Sequence, residues 1–145
     1  LMPEEYFYFV GELRNFSKNE VDEFLKQFED LFNDEILGGK KYIRDLSKGN
    51  QKKVGIVAAL IGNPKVVVLD EPFANLDPTT QIRLKKIIKN LSQKDDVTVL
   101  VSSHDLQDVT EVSDRIVLLE KGMIIKDIKK TQKTLKDLET YFNKG

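Results

Sequence analysis

Val66-Val67-Val68-Leu69 runs directly into Asp70-Glu71-Pro72, and this stretch decides how the chain is read. Four consecutive apolar residues, mostly β-branched, predict a short strand buried on both faces of a parallel sheet. Two adjacent carboxylates stand where that strand ends, and Pro72 fixes the exit of the chain. Ligands of open parallel α/β sheets bind beyond the carboxyl ends of the strands. An acid pair in that place faces a metal ion or a reacting water; the plain alternative is two exposed, inert loop acids. The functional reading separates the two. Asp70 would hold Mg²⁺, through water, and Glu71 would orient or deprotonate an attacking water.

Downstream of this strand, strands and helices alternate. Thr79–Leu91 predicts a helix with Ile82, Ile87, Ile88 and Leu91 inward. Val97–Val101 predicts a second strand, and Leu106–Val112 a short helix. Arg115–Glu120 and Met123–Ile128 predict a hairpin turning at Lys121-Gly122, followed by a terminal helix over Leu135–Phe142. Upstream the pattern is helical only. Pro3-Glu4-Glu5 reads as a helix start, with proline in the first turn and acids at the positive end of the dipole. That helix runs through Tyr6, Phe9, Val10 and Leu13. Ser17-Lys18-Asn19-Glu20 fits a capping box. Behind it Val21, Phe24, Leu25, Phe28, Leu31 and Phe32 are spaced as one amphipathic helix, broken at Gly38-Gly39. A third helix from near Ser47 carries Val54, Val57, Ala58 and Ile61 before Gly62-Asn63-Pro64 ends it. The expected fold is α/β in two parts, an all-helical segment over 1–62 and a strand–helix segment over 63–145.

Composition narrows the function classes. The 145 residues are 40% hydrophobic and 32% charged, with a net charge of −1. Near-neutral charge gives no broad field for holding nucleic acid, so none is expected as a partner. The lysine-rich stretch Lys126–Lys136 reads as a solvated connection. Cysteine is absent, which excludes disulfides and thiolate metal sites. No apolar run approaches the roughly 18 residues needed to span a bilayer, so a membrane would be reached only through a partner.

Three further stretches carry chemistry. Leu46-Ser47-Lys48-Gly49-Asn50-Gln51 sets a serine and a glycine at the predicted amino end of a helix, where unpaired N–H groups and a partial positive charge seat phosphate. Lys48, Lys52 and Lys53 add positive potential; an ordinary serine cap is the alternative. His104, the single histidine, follows the second strand in Ser102-Ser103-His104-Asp105, at the same predicted sheet edge as the acids. Asn75-Leu76-Asp77-Pro78, shortly after the acids, fits a simple turn or helix cap taken by itself.

Taken in order, LSKGNQ, VVVLDEP, NLDP and SSHD resemble the second half of an ATP-binding-cassette (ABC) ATPase. Leu46–Lys53 resembles the family signature, with Lys48 in place of its first glycine and Asn50 in place of its glutamine. Val66–Glu71 resembles the Walker B strand, Asn75–Asp77 the D-loop and His104 the switch histidine. The resemblance implies a partial P-loop NTPase (RecA-like) core with an inserted helical subdomain. It implies ATP and Mg²⁺ as cofactors. Asp70 would serve the metal, with Glu71 and His104 catalytic. Ser47, Lys48, Gly49, Asn50, Gln51 and Asp77 would contact nucleotide across a head-to-tail dimer with a second ATPase subunit.

The same resemblance implies a transmembrane permease as the other partner and a cytoplasmic place at the inner face of the membrane. No Gly-x-x-x-x-Gly-Lys-Ser/Thr loop occurs in the sequence. The expectation is therefore a fragment, inactive alone, of a transporter's ATP-hydrolysing subunit. The alternatives are a soluble ABC-type ATPase and a non-catalytic interaction fragment.

Overall fold

A computed structural model describes residues 1–144. The amino-terminal part is helical. Helix α1 (Pro3–Leu13) opens on proline followed by two acids, and α2 (Lys18–Leu25) opens on the capping box. There Ser17 Oγ accepts from the Glu20 amide at 3.3 Å, and the Glu20 carboxylate accepts from the Ser17 amide at 2.7 Å. Gly11 is where α1 and α2 touch, because a Cβ there would come within 2.3 Å of Val21. The buried face of α1 is Pro3, Phe7 and Gly11, at four-residue steps. Phe9 and Leu13 fall off that stripe and are exposed.

The single long helix expected after Ser17 is not continuous. A 3₁₀ turn over Lys26–Phe28 separates α2 from α3 (Glu29–Phe32), and Asn33 ends α3 in the left-handed conformation, before the two glycines. The tighter turn rotates the side chains, so that Leu25, Phe28, Leu31 and Phe32 all reach the core. Helix α4 (Lys48–Leu60) is capped by Ser47 and ends at Ile61, after which Gly62 and Asn63 turn with positive φ.

The first strand, β1 (Val66–Asp70), pairs in parallel with β2 (Thr98–Ser102), in a register that sets Asp70 beside Ser102. Val67 and Leu69 enter the core, whereas Val66 and Val68 are each 64% exposed. The expectation of burial on both faces is thus corrected. Helices α4 and α5 (Pro78–Ser92) cover one face of this two-stranded sheet, and nothing among the described residues covers the other. On α5 the inward residues are Thr80, Leu84 and Ile88. Ile82, expected inward, lies about 200° round the helix from Leu84 and is exposed.

Helix α6 (Leu106–Val112) follows β2. Strands β3 (Arg115–Glu120) and β4 (Met123–Lys129) then form the expected antiparallel hairpin, with positive φ at both Lys121 and Gly122. Helix α7 (Thr134–Asn143) closes the chain and buries Leu138. One hydrophobic cluster, from Phe7 through Val57, Leu69 and Leu84 to Val112, joins the helical segment to the sheet. Among the described residues no helix is long and apolar enough to cross a membrane.

Candidate functional site

The parallel register brings the carboxyl ends of β1 and β2 together. Ser102 Oγ donates to Asp70 Oδ1 and accepts from the Glu71 amide at 2.9 Å. One hydroxyl therefore ties both acids to the neighbouring strand. His104 Nε2 stands 3.2 Å from Glu71 Oε1, with its side chain almost wholly in solvent. Asp70, Glu71 and His104 thus share one sheet edge.

Glu71 has a left-handed backbone, with φ of 46°. That region disfavours residues with a Cβ, and such a conformation persists where surrounding bonds over-determine it. Two groups hold it here: the Ser102 hydroxyl on its amide, and Lys52 Nζ, which donates to the Glu71 carbonyl at 2.7 Å. Lys52 also donates to the Ala74 carbonyl at 2.8 Å, fastening the loop after β1 to α4.

The second cluster surrounds the amino end of α4. Ser47 Oγ accepts from the Asn50 amide at 3.2 Å, so the serine is an N-cap. A Cβ on Gly49 would lie 3.0 Å from the Asn75 carbonyl oxygen, so this glycine lets the loop before α5 approach the helix tip. Asn75 itself has φ of 63°. Asp77 caps α5, accepting from the Thr80 amide at 3.0 Å and from its hydroxyl. These bonds hold its carboxyl below the usual aspartate range. A cleft of about 670 Å³ lies between the two helix starts, lined by Glu35, Ser47, Gly49, Lys53 and Asp77 among others.

Two predicted ligands have their amides engaged within the chain. Gln51 Nε2 donates to the carbonyls of Leu46 at 2.9 Å and Arg44 at 3.2 Å, and so braces the turn before α4. Asn50 Nδ2 donates to Glu35 Oε2 at 2.9 Å. The Asn50 and Asn33 amides hold the Glu35 carboxyl below its ordinary range. Lys48 is exposed at the helix tip, while Lys53 is buried beside the cleft.

The two clusters line different cavities, with Lys48 bordering both. Ser47, Gly49 and Asp77 face the cleft, whereas Asp70 borders a shallower groove of about 460 Å³ with Val68 and Lys52. Sequence reasoning missed Ser102, Glu35, Lys85 and the role of Lys52. Ser102 alone carried a signal, since parallel pairing of the two predicted strands sets it opposite Asp70.

The fold is that of ATP-binding cassettes. A solved ATP-binding subunit of an ABC transporter superposes with a TM-score of 0.78 at 25% identity, over 99% of this chain and 57% of that one. A dimeric ATP-binding cassette in a post-hydrolysis state, bound to ADP and Pi, gives a TM-score of 0.64 at 29% identity, over 77% and 46%. The family model described as "AAA domain, putative AbiEii toxin, Type IV TA system" matches residues 6–107, and the chain belongs to that family.

Its sequence relatives are ABC transporter ATP-binding proteins. An uncharacterised one from Methanocaldococcus jannaschii is 36% identical over 81% of this chain and 44% of its own length. The methionine import ATP-binding protein of Carboxydothermus hydrogenoformans is 33% identical over 61% of this chain and 26% of its own length. The chain spans less than half the length of these relatives.

Proposed function

We propose that the chain is the signature-to-switch portion of an ABC transporter's ATP-hydrolysing subunit, and that residues 1–62 and 63–145 are its helical subdomain and the rear of its core. The observation that carries this reading is the 3.2 Å approach of His104 to Glu71 at the edge where Asp70 also ends. Phosphoryl transfer needs positioning and charge neutralisation more than covalent chemistry, and these residue types supply both. Glu71 orients the attacking water and accepts its proton; His104 holds the terminal phosphate of ATP. Asp70 is a hard oxygen donor of the kind Mg²⁺ takes, and no group of three or more metal-binding side chains is found among the described residues. Such an ion, held by Asp70, would neutralise charge on the phosphates when bound.

The separation of the two clusters supports a head-to-tail pair. Ser47, with the Gly49 backbone, would meet the γ-phosphate of a nucleotide held by a second ATPase subunit, and Asp77 would couple the two sites. Lys48 is exposed at the helix tip, and Asn50 and Gln51 serve by shaping it. A transmembrane permease would be the further partner, placing the assembly at the inner face of the membrane.

The 145 residues alone would bind ATP weakly and not hydrolyse it, because no sequence in them forms the phosphate-cradling loop. The test is made on the whole protein that carries this chain. Glu71→Gln should abolish hydrolysis while leaving ATP-dependent dimerisation, read by light scattering. Normal turnover in that variant would overturn the assignment of Glu71. Sub-millimolar ATP affinity of the 145-residue chain, by calorimetry, would overturn its expected weakness.

A further inference from the structure

We propose that Lys85 is a positioning residue: by clamping two acids of α6 to α5, it sets the start of α6 so that His104 stays beside Glu71. This deepens the function proposed above and rests on that reading of the Glu71–His104 pair.

Lys85 is an interior residue of α5, and only 15% of its side chain is exposed. Its Nζ lies 2.7 Å from Asp108 Oδ1 and 2.6 Å from Glu111 Oε2. Asp108 and Glu111 stand one turn apart on α6, so a single cation bridges them. Gln107 Nε2 donates to the other Glu111 oxygen at 3.0 Å and completes the lattice. The ammonium also sits 5.6 Å from the ring centroid of Phe73, which is buried two residues beyond Glu71. Lys85 thus touches the loop that carries Glu71 as well as the helix that follows His104.

His104 has no packing of its own. Its side chain is 99% exposed, and Glu71 is its one charged contact among the described residues. The ring is therefore placed by its backbone, which is held from two sides. Behind it, Ser102 joins the end of β2 to Asp70 and Glu71. Ahead of it, Asp105 caps α6 through the amides of Gln107 and Asp108. That cap fixes the helix start only as firmly as α6 is fixed, and Lys85 is the charged tie from α6 to α5. Removing the lysine leaves two carboxylates facing each other in a half-buried place, and their repulsion would drive α6 off α5.

The chain holds a single histidine, so its imidazole Cε1–Hε1 cross-peak is an unambiguous reporter in the protein as it stands. Glu71→Ala gives the displacement that marks a lost contact, measured at one fixed pH. Lys85→Met should reproduce at least half of that displacement in the same direction, and should speed amide exchange across residues 106–112. Lys85→Arg, which keeps the bridge, should restore both. Should Lys85→Met not fold by circular dichroism, Asp108→Asn and Glu111→Gln decide in its place, each producing a smaller displacement of the same sign. A cross-peak moved by Glu71→Ala but unmoved in folded Lys85→Met, or in both acid variants, overturns the role of Lys85 alone. A cross-peak unmoved by Glu71→Ala removes the pair, and with it the reading of the site.

Discussion

Replacing Lys52 with methionine tests whether the loop after β1 is held from α4. The lysine donates to the carbonyls of Glu71 at 2.7 Å and Ala74 at 2.8 Å, and a methionine keeps the stem while deleting both bonds. A hydrogen bond to a charged group is worth about 1.5–3 kcal/mol. The Ala74 bond is exposed and water takes over most of it, whereas the Glu71 bond is half-buried. The net loss is therefore about 2 kcal/mol. At roughly 2–4 °C per kcal/mol for a chain of this size, Tm should fall by about 4–8 °C. Urea denaturation should show a lower midpoint with an unchanged slope, since the surface exposed on unfolding stays the same. Lys48→Met, at an exposed position four residues earlier, should stay within about 0.5 kcal/mol of the parent. Equal stabilities for the two variants would refute the tie.

Two further outcomes follow from helix α4 and from the carboxylates. Gly55 lies in mid-helix with nothing within 4 Å of an added Cβ, so Gly55→Ala should stabilise the chain by about 1 kcal/mol; Gly49→Ala, against the Asn75 carbonyl, should fail to gain this, and equal gains by urea denaturation would count against close approach at the helix tip. Asp77 and Glu111 have folded pKa values lowered by their hydrogen bonds to Thr80 and Lys85. Their contribution is present above the unfolded carboxylate range, near pH 4, and is lost as pH falls through the folded values. The urea midpoint should drop on acidification below about pH 4, and Asp77→Asn with Glu111→Gln should flatten that drop.

Much of this architecture was legible because local chemistry wrote it. The capping box at Ser17, the serine cap at Ser47 and the Lys121-Gly122 turn each depend on residues within four positions of one another. The Asp70–Glu71–His104 edge was legible because strand ends can be placed from apolar runs, and parallel pairing then aligns them. What escaped depends on partners distant in sequence. Lys85 gives no sign that its acids lie at Asp108 and Glu111, and Glu35 none that it meets Asn50. Val66 and Val68 misled for a related reason: an apolar run reports what a strand is suited to bury, not what packs on it.

The left-handed backbone at Glu71 joins the packing of the core to the end of β1. After β1 the chain must send Pro72 and Phe73 into the core while Glu71 faces His104 on the outside. An extended Glu71 would continue the strand direction and carry Phe73 past the core. A φ of 46° reverses the chain within one residue, at a cost of about 1 kcal/mol or more for a side chain with a Cβ. Burying a phenylalanine is worth about 1.5–3 kcal/mol, which works against that strain together with the Ser102 and Lys52 bonds. Phe73 therefore explains why the turn is tolerated, but not why a glutamate occupies it, since glycine would make the same turn without strain. A carboxylate at a strained position, 3.2 Å from the chain's one imidazole, fits the role proposed for Glu71, in which side-chain chemistry rather than stability sets the residue.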